Sequence, residues 1–155
     1  MIDEISLKIL KILQERARIP NVEVARQVDM APSAVLERIR KLEKQGYIIG
    51  YEVRLNPKRF KRNLVAFVTI TTESRTRDVN AGKVLSKIPE IQEVHHIAGE
   101  DGFLIKVRVS DTTELGKLIR ERIQTLPFVR ATRTAIAMAT YKETARIPID
   151  DKDIL

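Results

Sequence analysis

The sequence predicts an α+β chain in two parts: a helix-turn-helix of three short helices, then a βαββαβ arrangement. Three observations lead there. Apolar residues recur at helical spacing up to Gly46, with a tight turn ahead of the third repeat. From Leu64 onward the pattern changes to β-branched runs separated by two helical stretches. The positive charge is also concentrated at one end. Residues 1–63 carry 14 Lys and Arg against 8 Asp and Glu, a net of +6, whereas residues 64–155 carry 14 against 13, a net of +1.

In the first part, Asp3 is a good N-cap for a first helix running to about Arg16. Ile5, Ile9, Leu10, Ile12 and Leu13 give it a broad apolar face. Pro20 cannot continue that helix. A second helix follows, with Val22, Val24, Ala25 and Val28 as its apolar residues. Asp29 and Met30 make the tight turn. Pro32 suits the first turn of a third helix, where its missing N–H costs nothing. That helix runs to about Gln45, and Gly46 is a natural stop. The segment YIIGYEVRLNP then predicts a short strand pair or one bent strand around Gly50, the wing of a winged helix-turn-helix.

The second part divides as follows. Strands are expected at Leu64 to Thr72, Ile91 to Ala98, Phe103 to Val109 and Val129 to Met138. Helices are expected at Asp78 to Ile88 and from Asp111, where Asp-Thr-Thr-Glu resembles a capping box. Leu115, Leu118, Ile119 and Ile123 line the inner face of the second of these helices. The order βαββαβ is the ferredoxin-like arrangement. A faint repeat supports it, since Ile88-Pro89-Glu90-Ile91 and Leu126-Pro127-Phe128-Val129 both lead a helix through proline into a strand. Two helices cover one sheet face. The other face keeps apolar residues, which a second copy in a homodimer would bury. The expected domains are 1–56 and 64–140, joined by a basic linker at 57–63 and followed by an acidic tail at 141–155.

The third helix carries the main functional signal. With Val35 set to zero and 100° per residue, Ile39 and Leu42 fall on the buried stripe. Ser33, Glu37, Arg40 and Lys44 fall opposite, with Lys41 beside them. The outward face is polar and mostly cationic. Arg38 lies nearer the core edge, suited to packing or to a phosphate. In a helix-turn-helix this helix enters the major groove with its N-terminal residues at base edges. Ala31, Pro32, Ser33 and Ala34 open the helix, and the small side chains among them allow close approach to DNA. Arg40, Lys41 and Lys44 are placed for phosphates or guanine, and Glu37 for a cytosine amino group. The basic linker PKRFKRN adds further cations for phosphates.

Several classes are disfavoured. There is no cysteine, hence no disulfide, thiolate metal site or cysteine nucleophile. No apolar run approaches the ~20 residues of a membrane span, and MIDEISLKIL does not resemble a signal peptide, so a cytoplasmic protein is expected. His95 and His96 are adjacent on an expected strand and point to opposite faces, so they cannot share one metal. No P-loop, GxGxxG, HExxH or GxSxG pattern occurs. Nothing calls for a cofactor or for catalysis.

The stretches DEISLKILKILQERARI, MAPSAVLERIRKLEKQGYIIGY and AGEDGFLIKVRV together resemble the Lrp/AsnC (leucine-responsive, or feast/famine) family of transcription regulators. The resemblance spans nearly the whole chain. It implies a DNA-binding regulator whose dimers assemble into octamers or higher oligomers. It also implies an amino-acid effector near the Gly99 loop and the last strand, at Gly99, Glu100, Asp101, Gly102, Thr132 and Thr134. Two departures stand out. Family members often have Gly-x-x-Asp in this loop, whereas position 102 here is glycine and the acid is Asp101. Serine is usual where Pro20 stands, so a capping box with Glu23 is lost. Beside a specific regulator, an architectural DNA-wrapping protein and a metabolic enzyme or its small-molecule sensor module, with the basic helix incidental, remain as readings.

Overall fold

The computed structural model describes residues 2–72, 79–99 and 102–150. The chain forms two compact units. Residues up to Arg54, together with those from Lys142 onward, make the first. Leu55–Tyr141 make the second.

The first unit is built on α1 (Glu4–Glu15), α2 (Asn21–Val28) and α3 (Pro32–Lys44). Asp3 caps α1 by accepting from the Ser6 amide at 2.8 Å. Pro20 offers α2 no side-chain cap, as its missing hydroxyl dictates. Asp29 ends α2 in the left-handed region (φ 53°), the tight turn expected there. Gly46, at φ 77°, ends α3, and the Tyr47 amide reaches back to the Leu42 carbonyl. Leu7, Ile9, Leu13, Val24, Ala25, Val35, Ile39 and Leu42 form the core. Each of these larger side chains gains about 1.5–3 kcal/mol on full burial. Two details differ from the helical-wheel reading. Val22 is exposed at the start of α2, and in the first turn of α1 Leu7 is buried while Ile5 is half-buried.

The second unit is the four-stranded antiparallel sheet expected of a βαββαβ chain. Its strands are β1 (Leu64–Thr72), β2 (Ile91–His96), β3 (Phe103–Val109) and β4 (Val129–Ile136), in the order β2-β3-β1-β4. Ala66, Val68 and Ile70 of β1 and Phe103, Ile105, Val107 and Val109 of β3 point to one face. Ala81 and Leu85 of α4 (Val79–Leu85) and Leu115 and Leu118 of α5 (Thr112–Leu118) pack onto that face. α5 continues as a π-helical turn, Ile119–Ile123, which buries Ile123. Asp111 caps α5 by accepting from the Glu114 amide at 2.9 Å. Glu114 returns to the Ser110 amide and hydroxyl rather than to the cap residue itself.

Several expected boundaries shift. α4 ends at Leu85, three residues early, because Lys87 and Ile88 tighten into short-range bonds ahead of Pro89. Asp78, expected to open that helix, lies outside the described residues. β2 stops at His96 and β4 at Ile136, each two residues short. Residues 48–56 run without regular structure and have no ladder partner among the described residues. A short strand there lacks a second strand to pair with among the described residues. The basic segment contains a 3-10 turn, Pro57–Phe60, with Asn56 capping it through the Lys58 amide at 3.0 Å. It groups with the second unit, where Arg62 pairs with Glu114. The tail, in turn, groups with the first unit. Gln14 bonds both the amide and the carbonyl of Ile147, at 2.8 and 2.9 Å, and Ile149 packs against the helical core.

Candidate DNA-recognition face and effector loop

α3 presents the face expected of it. Val35, Ile39 and Leu42 are buried, while Ala31, Pro32, Ser33, Glu37, Arg40, Lys41 and Lys44 are exposed and Ala34 is half-buried. Arg40, Lys41 and Lys44 enter no ion pair among the described residues, so their charge is available to a polyanion. At the exposed helix start Pro32 has no N–H and the Ala34 and Val35 amides donate to the Ala31 carbonyl at 3.0 and 3.1 Å, which leaves the Ser33 amide as the one without a bond among the described residues. That amide, with small side chains around it, suits a phosphate.

Arg38 behaves differently. It is half-buried, and its Nη1 donates to Asp3 Oδ2 at 2.5 Å and to Ser6 Oγ at 3.0 Å. It is turned toward α1 and away from the cationic face. Helical angle placed it at the core edge; the partner lies 35 positions away, where no local pattern reaches. The Arg38 bond, followed by the Ser6 amide, holds the Asp3 carboxyl far below its ordinary range, at about 2. Tyr51 is a second feature the pattern did not reveal. Its hydroxyl donates to Glu43 at 2.8 Å and fastens the segment after α3 back onto that helix. Partial burial, reinforced by Glu43, raises its phenol to about 12.

The effector residues fall at one end of the sheet. Gly99, at φ 119°, lies in the β2–β3 turn, a conformation that favours glycine. The Gly102 amide donates to the Ile70 carbonyl at 2.9 Å, and the Gly102 carbonyl accepts from Ile97 at 3.1 Å. Ile70 in turn pairs with Thr132 on its other side. Gly102 and Thr132 therefore flank the same end of β1. Thr134 pairs with Val68, two residues further in. Thr132 Oγ1 accepts from Gln124 Nε2 at 2.9 Å, a contact that brings the π-helical turn into the neighbourhood. Glu100 and Asp101 lie outside the described residues.

The glycine at 102 has a local cause. A Cβ there would sit 2.8 Å from Thr72 Cγ2, so the close approach of the loop to β1 excludes a side chain. His95 and His96 face opposite sides of β2. His96 stacks on Phe103 with ring centroids 5.1 Å apart, and His95 meets Glu93 at 3.3 Å.

Comparison with known proteins agrees with both halves. The winged helix-turn-helix DNA-binding model matches residues 2–49, and the Lrp/AsnC ligand binding domain model matches residues 65–147. The chain belongs to the Lrp/AsnC family. Leucine-responsive regulatory proteins of Escherichia coli K12 and Klebsiella pneumoniae are each 39% identical to it over 150 residues, 96% of this chain and 92% of theirs. Among solved structures, a transcriptional regulator of Neisseria meningitidis in complex with L-methionine superposes with a TM-score of 0.88 at 25% identity, covering 96% of this chain and 97% of that one. A feast or famine regulatory protein of Mycobacterium tuberculosis complexed with L-methionine gives 0.87 at 31% identity, covering 95% and 99%. The Lrp/AsnC chain described here is thus a transcription regulator with a helix-turn-helix for DNA and a ligand-binding α+β unit.

Proposed function

We propose that this Lrp/AsnC regulator binds a two-fold symmetric operator as a dimer or higher oligomer and that an amino acid adjusts its binding. The observation that carries the DNA reading is the unpaired cationic face of α3. Arg40, Lys41 and Lys44 contact phosphates or guanine, Glu37 faces a cytosine amino group, and Ala31, Pro32, Ser33 and Ala34 lie against the backbone. Lys58, Arg59 and Lys61, exposed around the 3-10 turn, add cations that read no sequence. Their presence favours a second reading, an architectural protein with weak base preference. DNA as the partner makes the cytoplasm the working compartment, and no described helix is long and apolar enough to cross a membrane. The protein acts by binding and not by catalysis.

Self-association is supported by unsatisfied surface. Ile49 is 98% exposed and Val53 84%, and with Tyr51 they alternate along a segment that has no strand partner among the described residues. Near the end of β4, Met138 and Tyr141 are each 98% exposed. Two-fold pairing of such patches fits the symmetry of a palindromic site.

The effector reading places an amino acid against Gly99, Glu100, Asp101, Gly102, Thr132 and Thr134. An α-ammonium needs an anionic or carbonyl partner, which Glu100 or Asp101 supplies. Calorimetric titration of the full chain with L-leucine and L-methionine tests this. A saturable heat is expected, and Asp101→Ala should remove it while the far-ultraviolet spectrum stays unchanged. A flat titration of the parent protein would overturn the effector reading. A normal titration of the variant would move the site away from the loop.

A further inference from the structure

The contact between Arg38 and the start of α1 goes beyond framework packing. One carboxylate performs two tasks there. Asp3 Oδ1 accepts the Ser6 amide and caps α1, while Oδ2 accepts the Arg38 guanidinium. Ser6 Oγ accepts from the same Arg38 nitrogen, and Ser6 is the only buried polar residue among those described. The guanidinium is thus held by two oxygens on α1, one charged and one buried. Together these groups line a cleft of about 400 Å³ between α1 and α3 that also contains Ala34, Glu37 and Lys41 of the recognition face. Asp3 therefore lies beside the surface that meets DNA.

We propose that Asp3 is a positioning residue for DNA recognition: it holds Arg38 away from the phosphates and thereby fixes the presentation of α3. The inference rests on the DNA-binding role of α3. Two consequences follow from the geometry. Arg38, although a cation on the recognition helix, adds nothing to the count of phosphates neutralised. Its charge instead anchors α3 to the first turn of α1, so the angle at which Glu37, Arg40 and Lys41 meet the groove depends on a residue outside α3, at the cap of α1. The carboxyl, held at about 2, stays ionised at neutral pH, so the contact is not a pH switch near neutrality.

The salt dependence of binding distinguishes positioning from direct contact. Each neutralised phosphate contributes about 0.9 to the slope of log Kobs against log salt. The measurement is fluorescence anisotropy of the full chain with a random-sequence duplex and with a selected operator, across a salt series. Arg38→Met keeps the aliphatic stem and should leave the slope on random DNA unchanged, while the operator-to-random affinity ratio falls about tenfold. Asp3→Asn keeps a competent helix cap and frees Arg38. It should steepen the slope by about 0.9 and lower the same ratio. The double variant should return the slope to the parent value. A slope reduced by about 0.9 in Arg38→Met would show that Arg38 touches a phosphate in the parent protein and would overturn the proposal. Parent-like slope and ratio in Asp3→Asn would overturn it equally. If Asp3→Asn loses helical circular dichroism, the Arg38→Met slope decides alone. A parent protein with no salt-dependent binding would instead refute the DNA role of α3.

Discussion

Gly102 shows how one missing side chain shapes the candidate effector loop. Its amide is bonded to β1, and a Cβ would strike Thr72 Cγ2 at 2.8 Å and Oγ1 at 2.9 Å. Gly102→Ala should therefore lower stability by about 1–3 kcal/mol, read by thermal unfolding. Thr72→Ala in the same chain should recover much of the loss, because it removes both atoms. Additive losses in the double variant would show that the clash is not the cause. The sequence singled out Gly102 only through family resemblance, since the reason for glycine lies 30 positions back, in Thr72. Arg38 is a similar case. Its helical angle gave its place at the core edge, but the choice between core and phosphate depended on Asp3. The outward cations were readable from angle alone, because no described residue pairs with them. Arg40→Ala should weaken operator binding by about 1–3 kcal/mol if it reads guanine, without change of oligomeric state by sedimentation. Unchanged affinity would remove Arg40 from the interface.

At the scale of elements, the bounds of α3, β1 and β3 were legible because local signals coincide with packing. Proline starts α3 and a left-handed glycine ends it, while β1 and β3 are central strands whose alternation is enforced by burial. The edge strands β2 and β4 ran shorter than their β-branched runs, since pairing on one side only holds fewer residues. The π-helical turn after α5 left no mark in the pattern. The start of α5 carries a connected network of hydrogen bonds. Glu114 accepts from Ser110 and Arg62, and these bonds, Ser110 first, hold its carboxyl at about 2. A depressed carboxyl contributes stability that is complete above its unfolded pKa of about 4.3 and is lost as pH falls toward the folded value. Glu114→Gln should therefore melt below the parent protein at pH 6, and the gap should close between about pH 4.5 and 2. A gap independent of pH would mean that the ionised form of Glu114 is not what stabilises the network.

At the scale of the whole molecule, the division into a helical unit and a sheet unit was written in the switch from helical spacing to β-branched runs, although the basic segment 57–63 falls in the sheet unit. The passage of the chain between them was not. The tail was read as a separate acidic segment, yet Gln14 and the Ile147 backbone bind it to the helical unit, through partners more than 130 positions apart. The segment after α3 was read as a wing strand or strand pair. It alternates in the manner of a strand, but Ile49, Val53 and Leu55 stay exposed, which suits the proposed self-association. Both the proposed symmetry and the proposed specificity meet in a single quantity, the sequence that the protein selects. In-vitro selection of random duplexes on the full chain, at one fixed near-physiological salt, measures it. The account predicts a two-fold symmetric motif with half-sites about one helical turn, or a multiple of it, apart. Recovery of bound DNA with no shared motif would contradict it and would leave α3 as a reader of phosphates alone.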